Sequence, residues 1–464
     1  MNVQHITGKL FLSSMVMAML FISACTVTQP YVQPAGITSN QLYRDSSTTD
    51  TTNIASVPWK EIFTDTLLQS LIQEGIQNNF DLKIANARIK AARANFTQSR
   101  LALLPGVDAN AGATFQKYPS GQSGPAEFYQ LSLTASWEAD IWGKLSSTKR
   151  AYLAALLQSE AYKKAVQTQL VADIASNYYL LLAYDAQLNI TEKTVVNRIK
   201  EVAAVRLLKE SNVLTGAAVV QSEANRYSVE ITLPDLRQRI RETENVISTL
   251  LGRNPDTVLR SSLNEQVVTA NLATGIPAQL LANRPDVQEA ELQLRKSLEV
   301  ENVARTYFYP SLNITATGGL SNSSLAQLFN PVSFFAGITG GLLQPVFNKG
   351  LNKQRLAVAQ AAREEYLAAF KQKIVVAGQE VSDALYNYKA ALDKQSLRTQ
   401  QIAFLQKSVD YTRELLKYSS ATNYTDVLTS EQSLLAGQLN GINDKLQQLT
   451  SLVTLYRSLG GGWK

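Results

Sequence analysis

Histidine, cysteine and methionine are nearly missing from this chain of 464 residues. The one histidine is His5, the one cysteine is Cys25, and the four methionines all lie at or before Met19. Beyond residue 25 the chain therefore supplies neither an imidazole for nucleophilic catalysis nor the ligands of a structural zinc site. It also lacks the thioether and thiol ligands of cuprous copper. We expect no metal site, and no enzyme that depends on these groups.

The charged residues are mixed along the chain rather than grouped. There are 44 lysines and arginines against 38 aspartates and glutamates, for a net charge of +6. A nucleic-acid interface would need a basic run or stripe, and none is present. An enzyme without histidine would need paired carboxylates or a Ser-Lys dyad, and no such pair stands out from the helix surface charges. The pattern predicts solvated helices, no nucleic-acid partner and no enzymatic activity.

The first 24 residues have the pattern of an export signal. Lys9 precedes an apolar run at 10–22, which is shorter than the roughly 20 residues of a transmembrane helix. The junction at Cys25 resembles a bacterial lipobox, in which the cysteine thiol is diacylated, the chain is then cut before the cysteine, and the new amine is acylated. We predict a lipoprotein signal peptide at 1–24 and no cofactor other than the covalent lipid on Cys25. An ordinary signal peptide with an incidental cysteine is the alternative. The Ser-, Thr- and Pro-rich residues 25–60 predict a lipid-anchored extended arm.

The body of the chain repeats itself at an offset of about 205 residues. For example, Asp140–Lys144 corresponds to Pro345–Lys349. Other matches follow in the same order along the chain. We predict a tandem duplication, with a first repeat at 61–255, an equatorial linker at 256–276 and a second repeat at 277–464. Each repeat should begin with a helix, near 65–103 and again near 284–308. Two strands, a very long helix (143 to about 209 in the first repeat), a tight break and a return helix should follow.

Period-2 alternation predicts two strands in each repeat, at about residues 105–138 and 310–344. Val107, Ala109, Ala111 and Ala113, for example, alternate with polar or small residues. Such strands fit a transmembrane barrel with a wet lumen, or equally a soluble two-sheet core. The helices favour the barrel. No proline interrupts 143–233 or 351–464, so the first long helix would run for about 67 residues, or roughly 100 Å.

Four strands cannot close a barrel around a lumen, and open strand edges in lipid cost several kcal/mol for each unpaired group. Several chains must therefore share one barrel. The sequence predicts a mainly α protein with a small β part, in which a shared membrane barrel continues into a long helical tube.

Several short segments, in order along the chain, resemble the outer-membrane factors (TolC-like) of efflux pumps and type I secretion, in their lipoprotein branch. The resemblance covers essentially the whole mature length. The matching segments are Pro58–Phe63, Asn78–Leu82, Trp137–Lys144, Leu250–Pro255, Asn283–Val287, Ala304–Arg305, Phe308–Ser311 and Leu459–Trp463.

The resemblance implies a homotrimer in the cell outer membrane, lipid-anchored and extending into the periplasm. Its barrel, with four strands per chain, would continue as a periplasmic α-helical barrel. It would act as the passive exit duct of a tripartite efflux system. It would receive small toxic compounds from an inner-membrane RND-type transporter and a periplasmic adaptor. A type I duct for polypeptides and a non-conducting structural lipoprotein are the alternatives.

Two breaks between long helices, at 211–216 and 419–423, should form the periplasmic tip. Glycine or asparagine suits the left-handed positions of such turns. The resemblance implies that the tip contacts the adaptor, through Leu214, Thr215, Gly216, Thr422 and Asn423.

The resemblance also places a gate beside the second break. The family usually has Leu-Asp-Ala-Gln there, and this chain has Leu428-Thr429-Ser430-Glu431. Thr429 replaces the pore aspartate, and Thr425 stands where a constricting apolar residue is usual. Either the charge has moved to Asp426 or Glu431, or the gate is uncharged. Asp426 could also be a solvated helix end, and it cannot face the same way as Thr425.

Overall fold

A computed structural model describes residues 27–34, 42–43, 53–117, 127–267, 274, 279–418 and 423–463. The predicted signal peptide, Cys25 and Thr422 lie outside the described residues, as does much of the predicted arm. The chain divides into two compact units. Unit 1 comprises 1–35, 88–160 and 289–371, and unit 2 comprises 36–87, 161–288 and 372–464.

Helices make up most of the described chain. In order they are α1 Trp59–Ile62, α2 Thr66–Asn78, α3 Phe80–Leu101, α4 Lys144–Glu210, α5 Gly216–Glu230, α6 Thr232–Leu250, α7 Gln279–Asn283, α8 Pro285–Thr306, α9 Leu351–Tyr418 and α10 Tyr424–Ser458. The strands are β1 Gly106–Phe115, β2 Glu127–Ala139, β3 Ser311–Asn322 and β4 Phe334–Leu343. The long helix expected to end near Lys209 ends at Glu210. The division into repeats at 61–255 and 277–464 stays a prediction.

The first predicted helix, near residues 65–103, is in fact two helices that meet at Asn79. The Asn79 side chain accepts hydrogen bonds from the amides of Asp81 and Leu82, at 2.8 and 3.1 Å, and so caps α3. Its amide nitrogen donates to the Leu250 carbonyl at 2.9 Å. The expectation of a continuous helix was wrong because the apolar period runs on across a residue whose side chain starts a new helix.

The return helix of the first repeat is also divided. α5 and α6 meet at Ile231, three residues before Pro234. Proline has no amide hydrogen and its ring crowds the preceding turn, so an interruption is expected here.

The four strands form one antiparallel sheet in unit 1, in the order β1-β2-β3-β4. Register places Trp137 beside Ile314 on one face and Thr134 beside Thr317 on the other. The apolar face is open rather than packed: Val107 is 65% exposed and Ile338 is 80% exposed. The predicted alternation is therefore present, but a soluble two-sheet core is not, because the described residues form only this one named sheet.

No strand pairs with the outer edge of β1 or of β4 among the described residues. Unpaired edges of this kind are the property that a transmembrane sheet cannot leave exposed to lipid. Within the described part of the chain, none of the helices is long and apolar enough to cross a membrane.

Buried acidic residues on α8 hold unit 1 together. The Glu301 carboxylate, 1% exposed, pairs with Arg305 at 2.6 Å and with Arg363 on α9 at 2.8 Å. Glu299 pairs with Arg150 on α4 at 2.7 Å. Each buried carboxylate thus has a cationic partner, as burial requires.

Unit 2 packs α4 against α2 and the linker that follows α6. Tyr178 is fully buried, and its hydroxyl donates to Asp65 at 2.7 Å. Gln266 donates to the same carboxylate at 2.9 Å, and Asp65 also caps α2 by accepting from Leu67. Burial alone would raise the pKa of Asp65, but these hydrogen bonds, including one from Ser261, outweigh it and lower the pKa.

Candidate functional site at the helical breaks

The first break joins α4 to α5 through a tight turn in unit 2. The amides of Val213 and Leu214 donate to the Leu208 carbonyl at 2.9 and 3.3 Å, which closes the end of α4. Asn212 takes the left-handed conformation, with φ of 58°. Gly216, the first residue of α5, does not have a positive φ and has open space around its Cα. The left-handed position that the sequence suggested for glycine or asparagine therefore belongs to asparagine.

Three of the residues predicted to contact an adaptor lie at this turn. Thr215 and Gly216 are exposed and Leu214 is half-buried, while the neighbouring Val213 is 61% exposed. The turn thus presents a small surface of apolar and hydroxyl-bearing side chains. Their role as adaptor contacts stays a prediction.

The second break ends at Asn423, which caps α10. The Asp426 amide donates to Asn423 Oδ1 at 3.1 Å, and the Asn423 amide donates to Asp426 Oδ2 at 3.1 Å. This reciprocal capping box satisfies two amides that the helix would otherwise leave unpaired. The Asp426 charge also sits at the positive end of the helix dipole. Asp426 therefore caps the start of α10, which agrees with the alternative that it lies at a solvated helix end.

Thr425 and Thr429 lie on one exposed stripe of α10. They are one helical turn apart, and the Thr429 hydroxyl donates to the Thr425 carbonyl at 2.9 Å. Gln432 and Ala436 continue the same stripe, and both are exposed. The two predicted gate threonines therefore face the same way, and the stripe that contains them carries no charge. Asp426 points about 100° away from Thr425.

The opposite stripe of α10 is buried and contains Glu431. Tyr424, Val427 and Leu428 share this stripe with it. Glu431 is 9% exposed, and its two oxygens accept from two arginines: Arg413 on α9, whose Nε lies 2.8 Å away, and Arg198 on α4. Glu431 thus ties three helices together, so the idea that the gate charge has moved to Glu431 does not fit its surroundings.

Arg198 is among the largest fully buried side chains and is shared by two carboxylates. Its Nη1 donates to Glu431 and, at 2.9 Å, to Glu201. Burial raises the pKa of Glu201, and the nearby Glu431 charge raises it further. The Thr412 and Ser430 hydroxyls, 2.9 Å apart, add a second link between α9 and α10.

Sequence reasoning missed Arg198 and Arg413. The sequence does contain a signal for Arg198, because it lies at helical spacing among threonine and valine residues that form a buried stripe. That stripe consists of Thr191, Val195, Arg198, Val202 and Val205. A charged residue at a core position predicts a buried partner. Nothing comparable marks Arg413, which is about half exposed.

The described residues contain no group of three or more histidine, cysteine, aspartate or glutamate side chains placed to hold a metal ion. The arrangement at the breaks is one of helix caps, paired charges and an uncharged exposed stripe. Such an arrangement can position helices and bind a partner.

A model of the outer membrane efflux protein family matches residues 71–253 and 276–461, which is most of the chain. The chain belongs to the outer membrane efflux protein family. This confirms the predicted family, and with it the assignment to the outer membrane and to efflux. The two matched segments also follow the order of the two predicted repeats.

Curated relatives match along nearly the whole length. The chain is 29% identical to the cation efflux system protein CusC of Escherichia coli O6:H1, over 96% of this chain and 97% of that protein. It is 27% identical to the toluene efflux pump outer membrane protein TtgI of Pseudomonas putida, over 98% of each. These names confirm the predicted exit-duct class of function.

Solved outer-membrane channels share the fold. The structure superposes on the channel OprN with a TM-score of 0.88 at 24% identity, covering 95% of this chain and all of that one. It superposes on CusC with a TM-score of 0.87 at 26% identity, covering 94% of this chain and all of that one. The predicted fold class, a small sheet continued by long helices as in outer-membrane channels, is confirmed.

Proposed function

We propose that this chain forms the exit duct of a tripartite efflux system as a homotrimer. The observation that carries the proposal is a sheet with one apolar exposed face, one polar face and two edges with which no described strand pairs. In a membrane, β1 of one copy would pair with β4 of the next, so that no edge meets lipid. The apolar face would meet lipid and the polar face would line a wet lumen.

A periplasmic adaptor and an inner-membrane RND-type transporter complete the proposed system. In this system the transporter would supply the energy, and the duct would conduct passively without enzymatic activity. The exposed turn at Val213–Gly216, together with Asn423, offers the surface for the adaptor. Relatives named as components of solvent, toluene, antibiotic and cation efflux systems support such an assembly.

The proposed cargo is small toxic compounds, as the names of the solvent, toluene and antibiotic relatives suggest. One relative is named a cation efflux protein, but this chain has no methionine after Met19 that could ligate cuprous copper. The transporter would choose which of these compounds enter the duct.

We further propose that the gate of this duct is uncharged. Thr425 and Thr429 present hydroxyl groups on the exposed stripe of α10, while Asp426 caps the helix and Glu431 is clamped by arginines. In a trimer this stripe would contribute three copies of each threonine to the lumen near the tip. Closure would then rest on packing and hydrogen bonds rather than on a ring of carboxylates.

Lipidation of Cys25 is the remaining part of the proposal. The described residues 27–34 contact α8, where the Gln29 amide donates to Asn302 at 2.8 Å and Asn302 donates back to the Gln29 carbonyl at 2.9 Å. Cys25 is four residues away along the chain, so a lipid on it would be attached within about 14 Å of Gln29.

The test is an efflux assay in a Gram-negative strain that lacks its own efflux ducts but carries a matching transporter and adaptor. Expression of this chain should lower the retention of a fluorescent efflux substrate. Leu214→Glu at the proposed adaptor surface should abolish the effect, whereas Lys353→Gln on the exposed surface of α9 should not. Unchanged retention with the wild-type protein present in the outer membrane would contradict the proposal.

A further inference from the structure

A cavity of about 300 Å³ opens in unit 1 where the sheet meets the helices. It lies where β2 ends, β3 begins and β4 ends. The lining side chains that matter for its chemistry are Glu138, Trp142, Lys144, Tyr307, Tyr309 and Arg355. This volume is at the lower end of the range for small-molecule pockets.

Three lining residues place the cavity on the polar face of the sheet. Glu138 is paired in register with Asn313, and Ser311 and Leu343 are paired two residues further along the same face. That face lines the lumen in the proposed duct. The inference below therefore rests on the proposed function.

Most charges in the cavity already have partners. The Lys144 Nζ donates to both Glu138 oxygens, at 2.9 and 3.1 Å. Asp140 accepts from the Leu145 and Ser146 amides at 2.8 Å each, at the positive end of the α4 dipole. These side chains hold one another and leave little free charge.

Arg355, which also lines the cavity, contacts an aromatic ring. Its guanidinium lies 4.6 Å from the centre of the Tyr307 ring, on which it stacks. Within the described part of the chain, no carboxylate and no hydrogen-bond acceptor contacts it. Arginine carries five N–H donors in a planar fork, which suits the two oxygens of a carboxylate or sulfonate. The cavity thus contains a positioned cation whose donors are all available.

A rigid aromatic wall stands beside this cation. The Trp142 and Tyr309 rings lie 4.9 Å apart with planes tilted by 34°. The Trp142 indole donates to the Pro310 carbonyl at 2.8 Å, and Asn352 donates to the Tyr307 carbonyl at 2.7 Å. The first bond holds the Trp142 ring in place, so an apolar group can stack against that ring without ordering its side chain.

We infer that this cavity is a binding site for amphipathic organic anions that pass through the duct. The carboxylate or sulfonate accepts hydrogen bonds from Arg355, and the apolar part of the anion packs on Trp142 and Tyr309. The site holds such cargo briefly at the entrance to the barrel. It gives the duct a preference among cargoes that is separate from the choice made by a transporter.

The test uses 1-naphthalenesulfonate as the anionic probe, with naphthylmethanol as its neutral analogue and naphthylmethylammonium as its cationic one. Calorimetric titration into the protein in a neutral detergent should show binding of the anion alone. Arg355→Gln should weaken that binding about tenfold or more, since it removes a charge-assisted bidentate contact. Arg355→Lys should recover only part of it, because lysine lacks the fork.

Lys353→Gln is the matched control, because it removes a cation from the exposed surface of the same helix two residues away without altering the cavity. Equal binding by Arg355→Gln and wild type, or equal binding of the three probes, would overturn the inference. The same proteins in planar bilayers separate this result from the proposed duct. Channels that conduct KCl but bind no anion contradict the site alone, whereas binding without any channel current contradicts the duct.

Discussion

Arg413, near the end of α9, donates a hydrogen bond from its Nε to Oε1 of Glu431 on α10 at 2.8 Å. The second Glu431 oxygen accepts from the buried Arg198 on α4. One carboxylate therefore joins three helices close to the two breaks. In the proposed duct it would restrain the tip from within each protomer.

Glu431→Gln should loosen this part of the structure. The substitution leaves the buried Arg198 with Glu201 as its only carboxylate partner, and removing one member of a buried pair costs about 3–5 kcal/mol. We expect a lower thermal unfolding temperature in detergent by circular dichroism. Glu192→Gln removes the exposed pair with Arg237, at 3.0 Å, and should cost less than about 1 kcal/mol. Equal losses in the two variants would show that the Glu431 cluster does not restrain the helices.

Thr429→Asp should make the duct select cations. It adds one carboxylate per chain to the uncharged stripe that also contains Thr425, and a ring of carboxylates favours cations. In a KCl gradient the reversal potential should shift toward the equilibrium potential of K⁺. The shift should correspond to a several-fold increase in the permeability ratio of K⁺ to Cl⁻. Thr454→Asp, on the same helix and with the same kind of hydroxyl bond to the preceding turn, is the control.

Asp426→Asn tests whether Asp426 supplies a gate charge. Asparagine retains an oxygen that can cap the helix, so the variant should fold and leave the selectivity of the wild-type duct unchanged. A loss of cation selectivity on this substitution would instead place the gate charge at Asp426.

Much of the fold could be predicted from the sequence because the controlling signals are local. The absence of proline over 143–233 predicts the long α4, and period-2 alternation predicts the sheet. The break at Asn79 was missed because the apolar period continues through it. The conformation at the first turn depends on Asn212 rather than Gly216, a choice that composition alone leaves open.

The candidate site was predicted less completely, because its charges are paired across distant segments. In the sequence, Glu431 lies two residues after Thr429 and was therefore one candidate for a gate charge that has moved. Its partner Arg198 lies 233 residues earlier, and no local pattern joins them. The sequence alone does not show whether a single acidic residue on a helix faces solvent or another helix, because this depends on where the neighbouring helices lie.

Asp286→Asn should reveal a pH-dependent contribution to stability. Burial alone would raise the pKa of Asp286, but the hydrogen bonds and charge of Arg284, with help from Lys373, lower the pKa to about 2. A lowered pKa stabilises the fold above the ordinary value of 3.8, and this contribution disappears as the pH falls toward 2. We expect the variant to lose about 2 kcal/mol at pH 7 and roughly half of that at pH 3.

Thermal unfolding at the two pH values measures this difference. Asp393→Asn, an exposed position on α9, is the control and should change little at either pH. A loss for Asp286→Asn that is the same at pH 7 and pH 3 would show that its ionic contacts do not stabilise the protein.

Cys25→Ala, expressed with a cleavable signal peptide, should still give trimers inserted in the membrane. The shared barrel would hold the protein there, and the arm remains docked through the bonds between Gln29 and Asn302. Membrane fractionation and alkaline extraction measure insertion, with the wild type as reference. Complete loss of membrane association would mean that the lipid, and not a barrel, holds the protein in place.

Single-channel recording of the purified protein in planar bilayers shows whether copies of this chain enclose a continuous duct. We expect discrete conductance steps from trimers, and larger steps from Glu431→Gln, because that substitution releases the restraint at the tip. Membrane-inserted trimers of both proteins that pass no ion current would show that the copies enclose no duct.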